Sequence, residues 1–366
     1  MKLSIAKEEL QEKLSDIQNI VEKRNTMPIL SHFLLDAGKK STHIIATDLQ
    51  IAIKEPLAAA VSSEGKLCIP ARKLFEIVRE AEGDITIDAE DEQWVKVVYG
   101  KSRFRLACLP PDEFPAWPGL EGTDEIGFEA EVLAEMIEKT LYSAGETDTR
   151  YTLNGLLFHT KQGDAKVTVV GTDGHRLALI TKGLGKPAGE ERKVILPRKA
   201  ASEVRKFFGR GAGINAVFGK NHVLFRIGEV QFLARLIEGT YPDYEKVIPL
   251  GNEKLITIGR EIFLRALRRV SVISREKSNA IRMDVGDGSL AVSSSNPDLG
   301  EARDEVAAAY AGEQMSVGFN ARYLMDSLNA MTSENVVFAL QDPLSPTLLK
   351  EEGSEDYRCV IMPMRV

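Results

Sequence analysis

One plan is written three times along the chain at intervals of about 125 residues, and this repetition confines the fold to a repeat architecture. Each copy opens with a short apolar strand and an amphipathic helix. These are Lys2-Leu3-Ser4-Ile5 before Leu10, Leu14 and Ile17; Phe128 before Leu133, Ile137 and Leu141; and Leu255-Ile256-Thr257-Ile258 before Phe263, Leu267 and Val270. A second helix follows in each copy, at Ile69-Pro70-Ala71-Arg72-Lys73-Leu74, Leu196-Pro197-Arg198-Lys199 and Phe319-Asn320-Ala321-Arg322-Tyr323-Leu324. The copies also end alike: Phe104-Arg105-Leu106 runs on to Phe114-Pro115, Phe232-Leu233-Ala234 to Tyr241-Pro242, and Tyr357-Arg358-Cys359-Val360-Ile361-Met362-Pro363 closes the third. Three equivalent units suit a chain that lines or surrounds something better than one that houses a single catalytic pocket.

Length and chemistry agree with several cores in one chain. At 366 residues it exceeds what a single core organises, and 43% hydrophobic content is enough for three. The N-terminal run Met1-Lys2-Leu3-Ser4-Ile5-Ala6-Lys7-Glu8-Glu9 lacks the apolar stretch of a signal peptide, and no segment reaches the roughly 18 apolar residues of a membrane span, so a cytoplasmic protein with no membrane partner is expected. Cys68, Cys108 and Cys359 are far apart and lack metal-ligand spacing, which predicts buried thiols, no disulfide framework, no metal and no cofactor.

A net charge of −7 taken alone opposes nucleic-acid binding, but the distribution of charge matters more than its sum. The first helix of the third copy and the turn after it carry Arg260, Arg265, Arg268, Arg269, Arg275 and Lys277 against Glu261 and Glu276. The second helices carry Arg72, Lys73 and Arg79 in one copy, and Arg198, Lys199, Arg205, Lys206 and Arg210 in the next, whereas acidic residues crowd into connections such as Asp88-Ala89-Glu90-Asp91-Glu92. The helix after Phe128 departs from this, with Lys139 alone among Glu131, Glu135 and Glu138.

Between the helices the apolar period falls to two, as in Val167-Thr168-Val169-Val170, Val223-Leu224-Phe225-Arg226-Ile227 and Val336-Val337-Phe338-Ala339-Leu340. The fold class is therefore α+β: three repeated domains, each with two helices packed on antiparallel sheets, at 1–123, 126–249 and 252–366. Edge-to-edge pairing of strands would join the copies into a continuous sheet and leave unpaired edges at both ends, where a second chain could pair head to tail and close a ring.

The chain resembles the bacterial DNA polymerase III beta subunit family of replicative sliding clamps from end to end. The resemblance is carried by Thr26-Met27-Pro28-Ile29-Leu30, Thr47-Asp48-Leu49, Pro70-Ala71-Arg72-Lys73, Arg150-Tyr151-Thr152-Leu153-Asn154-Gly155, Thr172-Asp173-Gly174-His175-Arg176-Leu177-Ala178, Tyr241-Pro242-Asp243-Tyr244 and Val360-Ile361-Met362-Pro363-Met364-Arg365-Val366. It implies clamp domains, a head-to-tail homodimer forming a six-domain ring, and a non-catalytic processivity factor that encircles duplex DNA and slides along it. It also implies tethering of the DNA polymerase III alpha subunit, the clamp loader delta subunit, and other polymerases and repair proteins that carry clamp-binding peptides.

Sliding demands contacts that ignore sequence and are individually weak, which phosphate contacts provide. By resemblance, Arg24, Arg150, Arg198, Lys199 and Arg282 are the candidates; the family often has Gln before the Arg-Tyr segment, where this chain has Thr147. A partner groove is implied at Leu153, Thr172, Gly174, Leu177, Pro242, Val247, Val360 and Met362, with His175, Arg176, Pro363, Met364 and Arg365 about its rim. Methionines there would let one site take several related peptides. The dimer interface is implied at Phe104 and Leu106 against Val272 and Ile273, with Lys73 near Asp298, Glu301 or Asp304. Two other classes compete. Asp173 two residues before His175 could serve a hydrolase, although no nucleophile elbow or metal-spaced His cluster accompanies the pair. The negative charge alone would suit a protein-interaction scaffold that does not touch DNA.

Overall fold

The computed structural model describes residues 1–21, 27–120, 124–211, 213–274 and 278–365. Its helices number six among these residues, two per copy: α1 Lys7–Ile17, α2 Ala71–Arg79, α3 Ala130–Leu141, α4 Arg198–Val204, α5 Arg260–Ser271 and α6 Ala321–Ala330. The apolar residues that marked them in the sequence are the ones they bury: Leu10, Leu14 and Ile17 on α1, Leu133 and Ile137 on α3, and Phe263, Leu267 and Val270 on α5. Helix starts differ in how their free N–H groups are satisfied. Asn320 caps α6 by accepting from Arg322 N at 2.9 Å and Tyr323 N at 3.3 Å, whereas α1 begins at Ala6 without a side-chain cap.

The chain folds into two compact bodies, and their borders do not follow the repeat. The first comprises Met1–Ala130 and Ser202–Leu236. It holds a five-stranded sheet in the order Ala60–Ser63, Lys2–Ile5, Ile85–Ala89, Trp94–Tyr99 and Ser102–Ala107. It also holds an eight-stranded sheet in which four strands of the second copy meet four of the first, where Val230–Arg235 pairs antiparallel with Ile51–Pro56 and Phe232 lies opposite Ile53.

The second body comprises Glu131–Ala201 and Ile237–Val366 and repeats the device. Its eight-stranded sheet joins four strands of the second copy to four of the third through Arg176–Gly183 and Tyr357–Ile361, with Cys359 opposite Ala178. A four-stranded sheet follows the order Gly300–Ala307, Ser289–Asn296, Ala280–Gly286 and Met315–Asn320. Each copy thus divides its strands between two sheets, and an edge strand of one copy is completed by an edge strand of the next. Main-chain hydrogen bonding makes each joint continuous. No helix among the described residues is long and apolar enough to cross a membrane.

Candidate functional site

In the second body a cleft of about 130 Å³ opens beside the joint between the Arg176–Gly183 and Tyr357–Ile361 strands. It is lined by Leu153, Thr172, Gly174, His175, Arg176, Leu177, Pro242, Val247, Val360 and Met362, all expected from the sequence, and also by Arg150 and Tyr244. Its floor is apolar core: Leu153, Leu177 and Val360 are at most 3% exposed and pack with Leu157, Val170, Tyr241 and Tyr244. Val247 and Met362 stand at its mouth, each 39% exposed. Such a concave wall with a few polar groups around it is the usual form of a site for apolar anchors.

The turn that shapes one side is held by its own side chains. Asp173 Oδ1 accepts from His175 N at 2.9 Å and Arg176 N at 3.0 Å, Thr172 Oγ1 donates to the Arg176 carbonyl at 2.6 Å, and Gly174 takes φ +86°. A Cβ at Gly174 would come within 2.6 Å of Arg150 Nη2, so the glycine answers both to the turn and to close approach. Asp173 therefore spends its carboxylate on backbone and on Arg176 Nε at 3.0 Å. The arrangement is a braced turn, and the aspartate serves it structurally.

Arg176 is more deeply placed than a rim residue. Its side chain is 10% exposed; beyond Asp173 it donates to Asp326 Oδ2 and to the Tyr142 carbonyl, both at 2.6 Å, and lies 4.4 Å from the centroid of the Tyr323 ring. One guanidinium thus ties the turn to α6 and to the end of α3, and the two carboxylates hold its pKa above the ordinary arginine value despite burial. Tyr244, absent from the sequence expectation, presents its ring to the cleft because His159 Nδ1 holds its hydroxyl at 2.7 Å. The signal was present in the recurring aromatic-Pro-x-aromatic pattern of Phe114-Pro115-Ala116-Trp117 and Tyr241-Pro242-Asp243-Tyr244. Met364 and Arg365 line a different cavity, with Arg282 and Arg303, where Met364 N donates to the Gly318 carbonyl. Pro363, between Met362 and Met364, is half-buried.

The expected DNA contacts lie in dissimilar settings. Arg24 falls outside the described residues. Arg150 grips Asp148 with two bonds, at 3.0 and 2.9 Å, and donates to the Asp173 carbonyl, which turns it along the cleft and holds the Asp148 carboxyl down at about 2. Arg198 donates to the carbonyls of Leu141 and Ala144, closing the C-terminal end of α3. Lys199 is exposed in the first turn of α4, and Arg282 is 55% exposed with its Nε on Asp284 Oδ1 at 2.7 Å. On α5, Arg260 is committed to the Ser333 and Leu328 carbonyls, while Arg265 and Arg268 face outward. The lone lysine of α3, Lys139, is buried between Glu351 and Glu135.

The interface candidates lie on edges and exposed turns. Phe104 and Leu106 are half-buried on Ser102–Ala107, the last strand of its sheet, where Phe104 stacks on Tyr99 at 5.7 Å. Val272 is 75% exposed just beyond α5, next to half-buried Ile273. Glu301 and Asp304 lie on the Gly300–Ala307 edge strand and Asp298 just before it, while Asp304 is paired with Arg269 and Lys73 with Glu76.

Three sheet-rich copies, an apolar cleft and an Asp173 committed to its own turn agree with the class that the sequence resembles, the DNA sliding clamps. The comparisons agree along the whole chain: residues 1–118, 128–243 and 245–365 match the N-terminal, central and C-terminal domains of the DNA polymerase III beta subunit. The beta sliding clamp of Pseudomonas putida is 35% identical over 369 residues, covering 100% of both chains. The pol III beta structure from Caulobacter crescentus aligns with TM-score 0.94 at 36% identity, and a Pseudomonas aeruginosa sliding clamp bound to griselimycin with 0.94 at 33%, each covering 100% of both chains. The chain belongs to the DNA polymerase III beta subunit family, and the homodimeric ring follows from that membership. It is a processivity factor in DNA replication and has no catalytic activity.

Proposed function

We propose that this clamp holds its partners through the cleft of the second body, by short peptides whose apolar side chains enter between Leu177, Val360, Tyr244 and Met362. The observation that carries this reading is a preformed apolar floor that opens to solvent at Val247 and Met362. His175, Arg176, Pro363, Met364 and Arg365 would border the longer path of a bound peptide. The DNA polymerase III alpha subunit, the clamp loader delta subunit and other polymerases and repair proteins would share the site, in the cytoplasm of a bacterium. A labelled partner peptide tests it by fluorescence anisotropy: Val247→Asp and Met362→Asp should each weaken binding at least tenfold, and unchanged affinity in both would sink the assignment.

Duplex contact is assigned to Arg24, Arg150, Arg198, Lys199 and Arg282; the side chains of Arg150, Lys199 and Arg282 are exposed. The domain borders are placed at 1–123, 126–249 and 252–366.

The dimer is read from the two joints inside the chain. Bridges at Cys68 with Leu109, Ile195 with Ile237 and Gly318 with Met364 mark equivalent places in the three copies. In that frame Phe104 corresponds to Phe232 and Cys359, and Ala302 to Ile53 and Ala178. Phe104 of one chain would therefore lie opposite Ala302 of a second, bringing Arg105 opposite Glu301. Val272 and Ile273 would cover the apolar side of that joint, with Lys73 facing Asp298, Glu301 or Asp304 at the rim.

A further inference from the structure

We infer that the first body carries a second peptide cleft, equivalent to the groove of the second body and selective for an acidic segment with one apolar anchor; this rests on reading that groove as a peptide site. The equivalence holds residue by residue. Thr47, Leu49, Gln50, Ile51 and Ala52 stand where Thr172, Gly174, His175, Arg176 and Leu177 stand in the groove. Leu233 pairs with Ala52 as Val360 pairs with Leu177, and Pro115 and Trp117 take the places of Pro242 and Tyr244. The same turn recurs in hydrogen-bond detail: Thr47 Oγ1 donates to the Ile51 carbonyl at 2.8 Å, and Asp48 Oδ1 accepts from Gln50 N at 2.9 Å and Ile51 N at 2.7 Å.

Two differences give the cleft its own selectivity. Its volume is about 70 Å³ against about 130 Å³ for the groove, room for one side chain rather than a run of them. At the tip of the turn the groove has glycine, but this cleft has Leu49, held at φ +72°, a conformation unfavourable for a leucine, with its side chain 51% exposed at the mouth. The strain displays an apolar side chain that the chain's own core does not cover. Around the mouth lie His222, which lines the cleft, and Arg235, which pairs with His222 across the strands and donates its backbone N–H to the Gln50 carbonyl at 2.8 Å, while no carboxylate among the described residues lines the cleft. The Arg235 guanidinium beside an apolar slot favours an acidic residue flanking the anchor, while burial and Arg235 itself hold His222 below the ordinary imidazole value and so toward its neutral form.

Trp117 reports directly on this cleft, and Trp94 is the chain's other tryptophan, so a Trp94→Phe variant isolates its emission. The probe is a fluorescein-labelled peptide Gly-Asp-Leu-Gly-Leu-Phe-amide, its anisotropy recording binding at the groove, with an unlabelled copy for the Trp117 titration. Peptide should shift Trp117 emission saturably; Leu49→Gly, which removes the anchor wall while easing the backbone, should weaken that response at least fivefold. Met362→Asp should abolish the strong anisotropy signal and leave the Trp117 response unchanged. A Trp117 response that is missing at millimolar peptide, lost with Met362→Asp, or indifferent to Leu49→Gly would overturn the inference. An anisotropy signal indifferent to Met362→Asp would instead fault the groove assignment, whichever way Trp117 behaves.

Discussion

Arg176 shows how little a residue's type says about its task. From the sequence it was a cation beside a groove; in the fold it spends its donors on Asp173, Asp326 and the Tyr142 carbonyl at 10% exposure. Removing one partner of a nearly buried charge pair leaves the others unpaired, so Arg176→Ala should cost about 2–4 kcal/mol in urea unfolding, with peptide affinity falling as the Thr172–Arg176 turn loosens. Undiminished stability would show the guanidinium to be dispensable. Glu55 is a second buried case. Its side chain is wholly buried, 3.1 Å from Arg210 Nη1 and 3.4 Å from Lys13 Nζ, and burial, aided by Asp16, lifts its carboxyl to about 8. The unfolded chain gives up this proton near the ordinary value of 4.5 and the folded chain only near 8, so stability attributable to Glu55 falls as pH rises through that window. Glu55→Gln should gain in Tm relative to the parent between pH 5 and pH 8; a constant difference across that range would contradict the assignment.

Among elements, the helices differ in how well their ends are finished, and this can be measured. Asn320→Ala should cost about 1 kcal/mol through the lost cap of α6, whereas Ala6→Ser should add about 0.5–1 kcal/mol at the bare start of α1; chemical denaturation reads both. Helix and strand positions were legible because burial imposes a period: Leu10, Leu14 and Ile17 repeat at helical spacing, and Val167 with Val169 at strand spacing. The groove walls were legible through family resemblance to local motifs. Side-chain partners were not, since many depend on segments distant in sequence: Arg198 meets the end of α3 and Arg176 meets Asp326 through folds of chain that no local pattern encodes. Tyr244 was overlooked for a similar reason, its orientation resting on His159, 85 residues earlier in the chain.

At the scale of the whole molecule, strands shared between copies add continuous backbone pairing to side-chain contacts such as Arg176 with Asp326 and Arg210 with Glu55. Two edge strands, Ser102–Ala107 and Gly300–Ala307, are the counterparts of the strands paired at the internal joints, and a second chain would continue the pattern there. Val272→Glu with Ile273→Glu should therefore sediment as a monomer with unchanged circular dichroism, and dimers persisting at micromolar concentration would place the contact elsewhere. Once loaded, the parent clamp should stay on circular DNA in high salt and leave linear DNA, because a topological link is not screened as phosphate contacts are.

The braced turn behind Arg176 also bears on how partners compete. A cleft already shaped before binding loses little freedom when filled, so the ordering cost of association falls on the incoming peptide. Partners presenting similar anchors would then be ranked by how stiff their own chains are, and a ring-closed peptide should outlast its linear counterpart on the clamp mainly through slower departure.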